Sequence, residues 1–344
     1  MSHSHQHDAC HDHPHGHGAI DIHAHYLPQT FLDLVKEHAA PYGIEWKMVE
    51  GKGPQFKLGH LVTGPVGKKF VDIDTRLQAM DAQGVKAHVM SLSQPMVYWA
   101  DAQLGLRLSA VYNDALASCH DQHPDRIFGL AMLPMQDPAL AVQEAQRAAK
   151  LPGIRGFYMS THVNEYELGD RRFDPVYEKI QDLGLPIFLH PVHVLAHERL
   201  TPHYLTNLIG NPVESAIAAA HLIFGGTLDR FPKLTFVLPH SGGAFPWLVW
   251  RLQRGWVVRE DLKKIKQGPA EYLRRFYYDT VGYSDHVIDF LARTIGTDRI
   301  MMGSDYCFPI AYEQPVKIVT DCPTLDAAAK EAITEKNARA LLGI

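Results

Sequence analysis

A chain of 344 residues, 46% hydrophobic and 21% charged, is long enough to bury a large core. Its net charge of −5 argues against nucleic acid or an acidic membrane surface as a partner. The four cysteines are scattered without a CxxC pair, there is no run of about 18 apolar residues, and no apolar leader opens the chain. A disulfide framework and a membrane span are therefore not expected, and a cytoplasmic setting is.

Residues 1–18 carry seven histidines, His3, His5, His7, His11, His13, His15 and His17, interrupted by glycine and proline. Such a segment cannot pack and reads as a disordered tail. It is either a solvated leader resembling a purification tag or an arm that gathers metal. From Ala19 the chain alternates. Candidate strands are Ala19–His23, Lys86–Ser91, Ile127–Leu133, Ile154–Met159, Pro186–His190, Leu234–Pro239, Phe276–Thr280 and Arg299–Gly303. Between them lie stretches with apolar residues at helical spacing, such as Gln103–His120, Pro138–Lys150, Asp174–Leu183, Val213–Arg230 and Asp285–Ile295. Eight strand–helix repeats predict one α/β domain over residues 19–344, a (β/α)8 TIM-type barrel, with a doubly wound open sheet as the competing arrangement. Pro41–Asp74 breaks the rhythm, with several glycines and no good helical pattern. It reads as a small β-hairpin insertion after strand one, placed over the barrel mouth. Thr324–Leu342 reads as terminal helices packed on the outside.

Four of the predicted strands end in chemistry. Strand one runs into Asp21-Ile22-His23-Ala24-His25, and residues i and i+2 of a strand share a side, so both histidines can reach one ion. Strands five, six and eight end at His190, His240 and Asp305. Any one of these is equally well a hydrogen-bonded loop residue. Four in phase at the C-terminal ends of barrel strands, where active sites lie, point to a single centre. His23, His25, His190 and Asp305 form a ligand set suited to Zn²⁺, with Mn²⁺, Fe²⁺ or Co²⁺ compatible. His240 is then the acid/base that handles a proton near the ion. In the alternative assignment His240 is a ligand and His190 is not.

These residues and their surroundings resemble the amidohydrolase superfamily, and within it the 2-amino-3-carboxymuconate-6-semialdehyde decarboxylase-like family. The matching stretches are Asp21–Pro28, Leu133–Pro138, Thr161–Glu165, Phe231–Leu234, His240–Trp247 (HSGGAFPW) and Met302–Pro309 (MGSDYCFP). The resemblance implies one divalent metal on His23, His25, His190 and Asp305, with His240 and Asp305 catalytic. It implies non-oxidative loss of CO₂ from an unsaturated or aromatic carboxylic acid. It also implies a homodimer in which Arg259, nineteen residues after His240, binds the substrate carboxylate in the partner's site; a solvated helix arginine is the competing reading. Tyr98, Trp99, Tyr158, Tyr204 and Phe308 are candidate pocket aromatics, although core or rim packing is the commoner role for any one of them. Of these, Trp99, Tyr204 and Phe308 are taken with Arg259 as the substrate-binding set. The sequence departs from the family pattern twice. A substrate-binding arginine of the insertion is replaced near Thr63-Gly64, with only Lys68 and Lys69 close by, and His193 stands where the family has an acid. The semialdehyde itself is therefore not the expected substrate. A hydrolase or hydratase acting on a related lactone, amide or C–C bond would use the same ligands. A metal-storage or delivery role for the tail is the reading from a different class.

Overall fold

The computed structural model describes residues 18–344, so the histidine-rich segment and the expectations placed on it lie outside the described residues. Eight parallel strands form the core: β1 Ile20–Tyr26, β2 Ala87–Leu92, β3 Ile127–Met132, β4 Ile154–Ser160, β5 Ile187–His190, β6 Phe236–Leu238, β7 Phe276–Asp279 and β8 Ile300–Met301. They pair in chain order, each with the next. The cylinder closes where Ile22 N donates to Met302 O at 3.0 Å and Asp305 N donates to His23 O at 2.9 Å. The chain is thus a (β/α)8 barrel, and an open sheet is ruled out by that first-to-last contact.

Local chemistry sets the helix limits. Asp101 accepts Leu104 N at 2.9 Å to start the helix Ala102–Gln122, and Asp137 accepts Ala139 N and Leu140 N to start Pro138–Ala148. The helix Asp174–Leu183 stops at Gly184, which takes the left-handed φ of 67° that glycine tolerates. The single helix expected over Val213–Arg230 is two, Asn211–Phe224 and Thr227–Arg230, because Gly226 adopts a left-handed φ of 73° between them. No element was predicted at Phe245–Val258, which is a 14-residue helix. Its sequence, FPWLVWRLQRGWVV, keeps large apolar side chains on the exposed side as well, Trp247 and Trp250 among them, so its two sides are hard to tell apart by residue type.

The insertion is a three-stranded antiparallel sheet, Ile44–Val49, Gly53–Leu58 and Leu61–Val62, rather than a two-stranded hairpin. Trp46 and Phe56, directly opposite in register, stack with centroids 5.6 Å apart and hold it together. Its last turn, at Gly59-His60, and the third strand that follows reach the rim of the barrel cavity. Among the described residues no helix is long and apolar enough to cross a membrane.

Candidate metal centre

At the C-terminal mouth of the barrel the ligating atoms of His23, His25, His190 and Asp305 lie within 4.8 Å of one another, and all four residues are buried. Each comes from a different position in the closure. β1 supplies both histidines, β5 ends on His190, and the loop after β8 carries Asp305. His23 Nε2 and His25 Nε2 are 3.2 Å apart, and Asp305 Oδ1 is 3.2 Å from His25 Nε2 and 3.5 Å from His23 Nε2.

The three imidazoles are held in one sense, each with Nδ1 engaged outward and Nε2 turned inward. His23 Nδ1 donates to Asp279 Oδ2 at 2.7 Å, His190 Nδ1 donates to the Pro191 carbonyl at 2.8 Å, and His25 Nδ1 meets Ser91 Oγ at 3.2 Å. His190 Nε2 is left buried with no hydrogen-bond partner. An orphaned buried acceptor facing two other imidazoles and a carboxylate is the arrangement a divalent cation satisfies. The residues present therefore fit the metal.

The electrostatics agree. Burial works to lower His23, but the hydrogen bond to Asp279 and the charge of Asp305 outweigh it and raise the ring to about 9. Burial lowers His25 despite its bond to Asp305, and burial with three neighbouring imidazoles drives His190 well below the ordinary value. Burial alone would raise Asp305, yet the histidines around it pull it down, so it is a carboxylate. The site is thus one anion, two neutral rings and one ring whose proton a metal must displace.

His240 stands beside this group, its ring centroid 5.1 Å from that of His190 and 5.3 Å from that of His23. Its Nδ1 is buried without a partner. Burial, then the charge of His23, lowers its pKa to about 4. The backbone that aims it is strained, with φ of 54° at His240 and 57° at Ser241, and the ligand Asp305 on its own loop has φ of 63°. Asp279 fixes that loop, accepting His240 N at 3.0 Å and Ser241 N at 2.7 Å.

A cavity of about 590 Å³ opens onto His190, His240 and Asp305. Tyr204 and Phe308 line it, and Phe308 meets the His25 ring edge-on at 5.1 Å. Gln94, Asn207, Asn211, Thr201 and Thr206 add neutral polar groups, and no lysine or arginine is among the lining residues. The structure does not bring Trp99 to this wall. Its indole N–H is spent on the Met96 carbonyl at 2.9 Å and its ring packs against Tyr42. Tyr98 and Tyr158 are buried, Tyr158 against the rings of His25 and His190. Arg259 follows the helix Phe245–Val258, is exposed and pairs with Asp261 at 2.9 Å, away from the cavity of its own chain.

Asp279, which contacts both His23 and the His240 loop, is not among the site residues expected from the sequence. The available signal was an acid at the end of strand seven, in phase with His190, His240 and Asp305. A second unforeseen layer lies beneath β1. Arg76, fully buried, donates to the His25 carbonyl and meets His88 Nδ1 at 3.2 Å. Asp21 takes His23 N at 2.9 Å and Ser304 N at 3.1 Å, so it fastens the first ligand strand to the loop bearing Asp305.

The amidohydrolase family model matches residues 20–344. A 2-amino-3-carboxymuconate-6-semialdehyde decarboxylase of Dictyostelium discoideum is 29% identical over 332 residues, 94% of this chain and 91% of that one. The crystal structure of 5-carboxyvanillate decarboxylase from Sphingomonas paucimobilis superimposes with a TM-score of 0.82 at 27% identity, covering 95% of this chain and 99% of the other. A dihydroxybenzoic acid decarboxylase from a Polaromonas species, solved with manganese and the inhibitor 2-nitroresorcinol, gives 0.78 at 26% identity, covering 95% and 97%.

Proposed function

We propose that this chain, which belongs to the amidohydrolase family, is a metal-dependent non-oxidative decarboxylase releasing CO₂ from an unsaturated or aromatic carboxylic acid. The observation that carries the reading is the buried His23/His25/His190/Asp305 group beside an unpartnered His240 Nδ1 at the floor of a cavity of about 590 Å³. The 2-amino-3-carboxymuconate-6-semialdehyde decarboxylase and the 5-carboxyvanillate decarboxylase described above both match over nearly the whole chain, and this supports the reading. Zn²⁺ suits three imidazoles and a carboxylate, and Mn²⁺, Fe²⁺ and Co²⁺ accept the same set. When bound, the cation supplies a Lewis acid that draws electron density from a substrate oxygen.

The protein's own part is positioning and proton transfer. Phe308 offers an apolar wall to a flat substrate, and Tyr204, Gln94 and the asparagines offer neutral hydrogen bonds. His240 is the proton donor. A substrate carboxylate beside it favours the imidazolium and so loads a ring that is otherwise neutral. His240 protonates the carbon bearing the carboxylate, forming a C–H bond. The C–C bond to the carboxylate then breaks, its electron pair returns to the unsaturated system, and CO₂ leaves. Water restores the proton to His240, so one proton is consumed for each CO₂.

The cavity lacks a fixed cation, and a second copy of the chain supplies one in this reading. The helix Phe245–Val258 exposes Trp247 (75%), Trp250 (61%), Val257 and Val258, and Arg259 follows immediately. An apolar face of that kind supports a homodimer that brings Arg259 to the partner's cavity, where its guanidinium forks a carboxylate. The setting proposed is the cytoplasm.

Incubating candidate aromatic and ring-cleavage acids with metal-loaded protein and measuring CO₂ tests the reading. Stoichiometric CO₂ with the decarboxylated product is expected. Conversion to a hydrated or hydrolysed product without CO₂ overturns it in favour of the hydrolase or hydratase alternative. Arg259→Ala should raise KM with little change in kcat, and an unchanged KM removes that residue from the site.

A further inference from the structure

Four more histidines cluster outside the centre described above, and one of them, His60, lines the cavity. His60 sits on the last turn of the inserted sheet, His162 on the small hairpin after β4, His193 on the loop after β5, and His197 at the start of the short helix His197–Leu200 that follows. The His60 and His193 rings meet edge-on, 5.3 Å between centroids at 69°. That is the spacing of the rings in the quartet at the barrel floor, where His23, His25 and His190 lie 4.9 to 5.3 Å apart and edge-on. The His162 ring lies 6.2 Å from His193, and its Nδ1 donates to the Asn164 carbonyl at 2.8 Å, which leaves Nε2 free to coordinate. His190 is prepared in the same way. His197 lies flat over His60 at 3.6 Å, so it backs that ring in its present orientation. Glu198, 3.5 Å from His197, and Glu214, which accepts Leu195 N at 2.6 Å, supply acidic groups nearby.

We infer that His60, His193 and His162 form a second, weaker cation site at the cavity mouth, for an imidazole-seeking ion of the Zn²⁺, Ni²⁺ or Cu²⁺ class. His193 lies between the other two rings, and among the described residues only the floor quartet brings its ligating atoms within 4.8 Å of one another, so an ion completes the rim site by drawing the three rings together and binds more weakly for that reason. Neutral imidazole is the ligating form. Burial and then the neighbouring histidines hold His193 down to about 4, and burial with His197 also lowers His60, so both rings are neutral near pH 7. The three ligands come from three segments, and His60 lines the cavity itself. An ion there ties the inserted sheet to the barrel rim and narrows the route to His240.

The test does not depend on which reaction the barrel catalyses. Full-length wild-type protein, His60→Ala and His60→Ala/His193→Ala are dialysed to equilibrium against excess ZnCl₂, and bound zinc is counted by elemental analysis. The floor quartet and the N-terminal histidines contribute equally to all three proteins, so only the difference matters. The wild type should hold about one zinc more than the double variant, as one added site requires. His60→Ala, placed on an exposed turn, carries the test if the double variant fails to fold. Equal zinc content in the wild type and His60→Ala at every zinc concentration overturns the inference, whatever the outcome of the CO₂ assay.

Discussion

Replacing Asp279 with asparagine separates the ion-holding geometry from the ion's ligands. The carboxylate is 1% exposed and serves four donors: His23 Nδ1 at 2.7 Å, His240 N at 3.0 Å, Ser241 N at 2.7 Å and Val281 N at 2.9 Å. An amide keeps the shape but has one acceptor oxygen. If that oxygen stays with Ser241 and Val281, the NH₂ faces His23 and His240. His23 must then accept at Nδ1, which moves its proton to Nε2, the atom that faces the ion. Losing such an outer partner weakens metal binding by about 10- to 100-fold, or about 1.4 to 2.8 kcal/mol. The proton count gives an independent signature. In the metal-free wild type His23 is raised to about 9, so at pH 7.5 it is charged and the metal must expel about one proton. The sign follows from the raised value: below about 9 the ring competes for the ion's place with a proton, so affinity falls as pH falls. Chelator competition measures the affinity, and calorimetric titration in two buffers of different ionisation enthalpy measures the proton. Asp279→Asn should show weakened binding with almost no proton released. Unchanged affinity together with a full proton still released would refute the role assigned to Asp279.

Three further outcomes are expected. His240→Asn should keep its metal and lose about 10²- to 10⁴-fold in kcat; loss of the metal in elemental analysis would make His240 a ligand. Arg76→Met should cost about 1 to 3 kcal/mol in urea unfolding, because it leaves the buried His88 Nδ1 and the His25 carbonyl without their donor; a cost below about 0.5 kcal/mol would show that these bonds are incidental. His193, depressed to about 4 when folded and near 6.5 when unfolded, contributes stability that is present above pH 6.5 and is lost as pH falls toward 4. The loss is about 3 kcal/mol at most. In metal-free protein His193→Gln should lose less stability between pH 7 and pH 4.5 than the wild type does, and parallel losses would contradict the shift.

The barrel was legible because its strands are short apolar runs and its chemistry sits at their ends. His190, His240 and Asp305 each terminate such a run, and residue order along a parallel barrel fixes which end they share. What stayed hidden depends on contacts that no spacing encodes. The position of Asp279 at the end of strand seven marks it as a residue of the mouth, but its work of orienting His23, 256 positions away, shows only in the contact between them. Arg76 looks like a helix-surface arginine, yet it is fully buried over the Tyr306 ring at 4.8 Å. Trp99 was a reasonable pocket aromatic by type, but a local bond to Met96 turns it into packing. The helix Phe245–Val258 escaped because periodicity separates a buried face from a wet one, and this segment keeps several large apolar side chains in the open.

The placement of the ligands at both limits of the barrel has a consequence for biogenesis. His25 and Asp305, 280 positions apart, come together only after β8 has docked on β1. A ribosome has therefore made nearly the whole chain before the quartet exists. Metallation then works as a completeness check: fragments that stop short of Asp305 cannot hold the ion through this set, while the finished chain gains a clamp between its first and last strands.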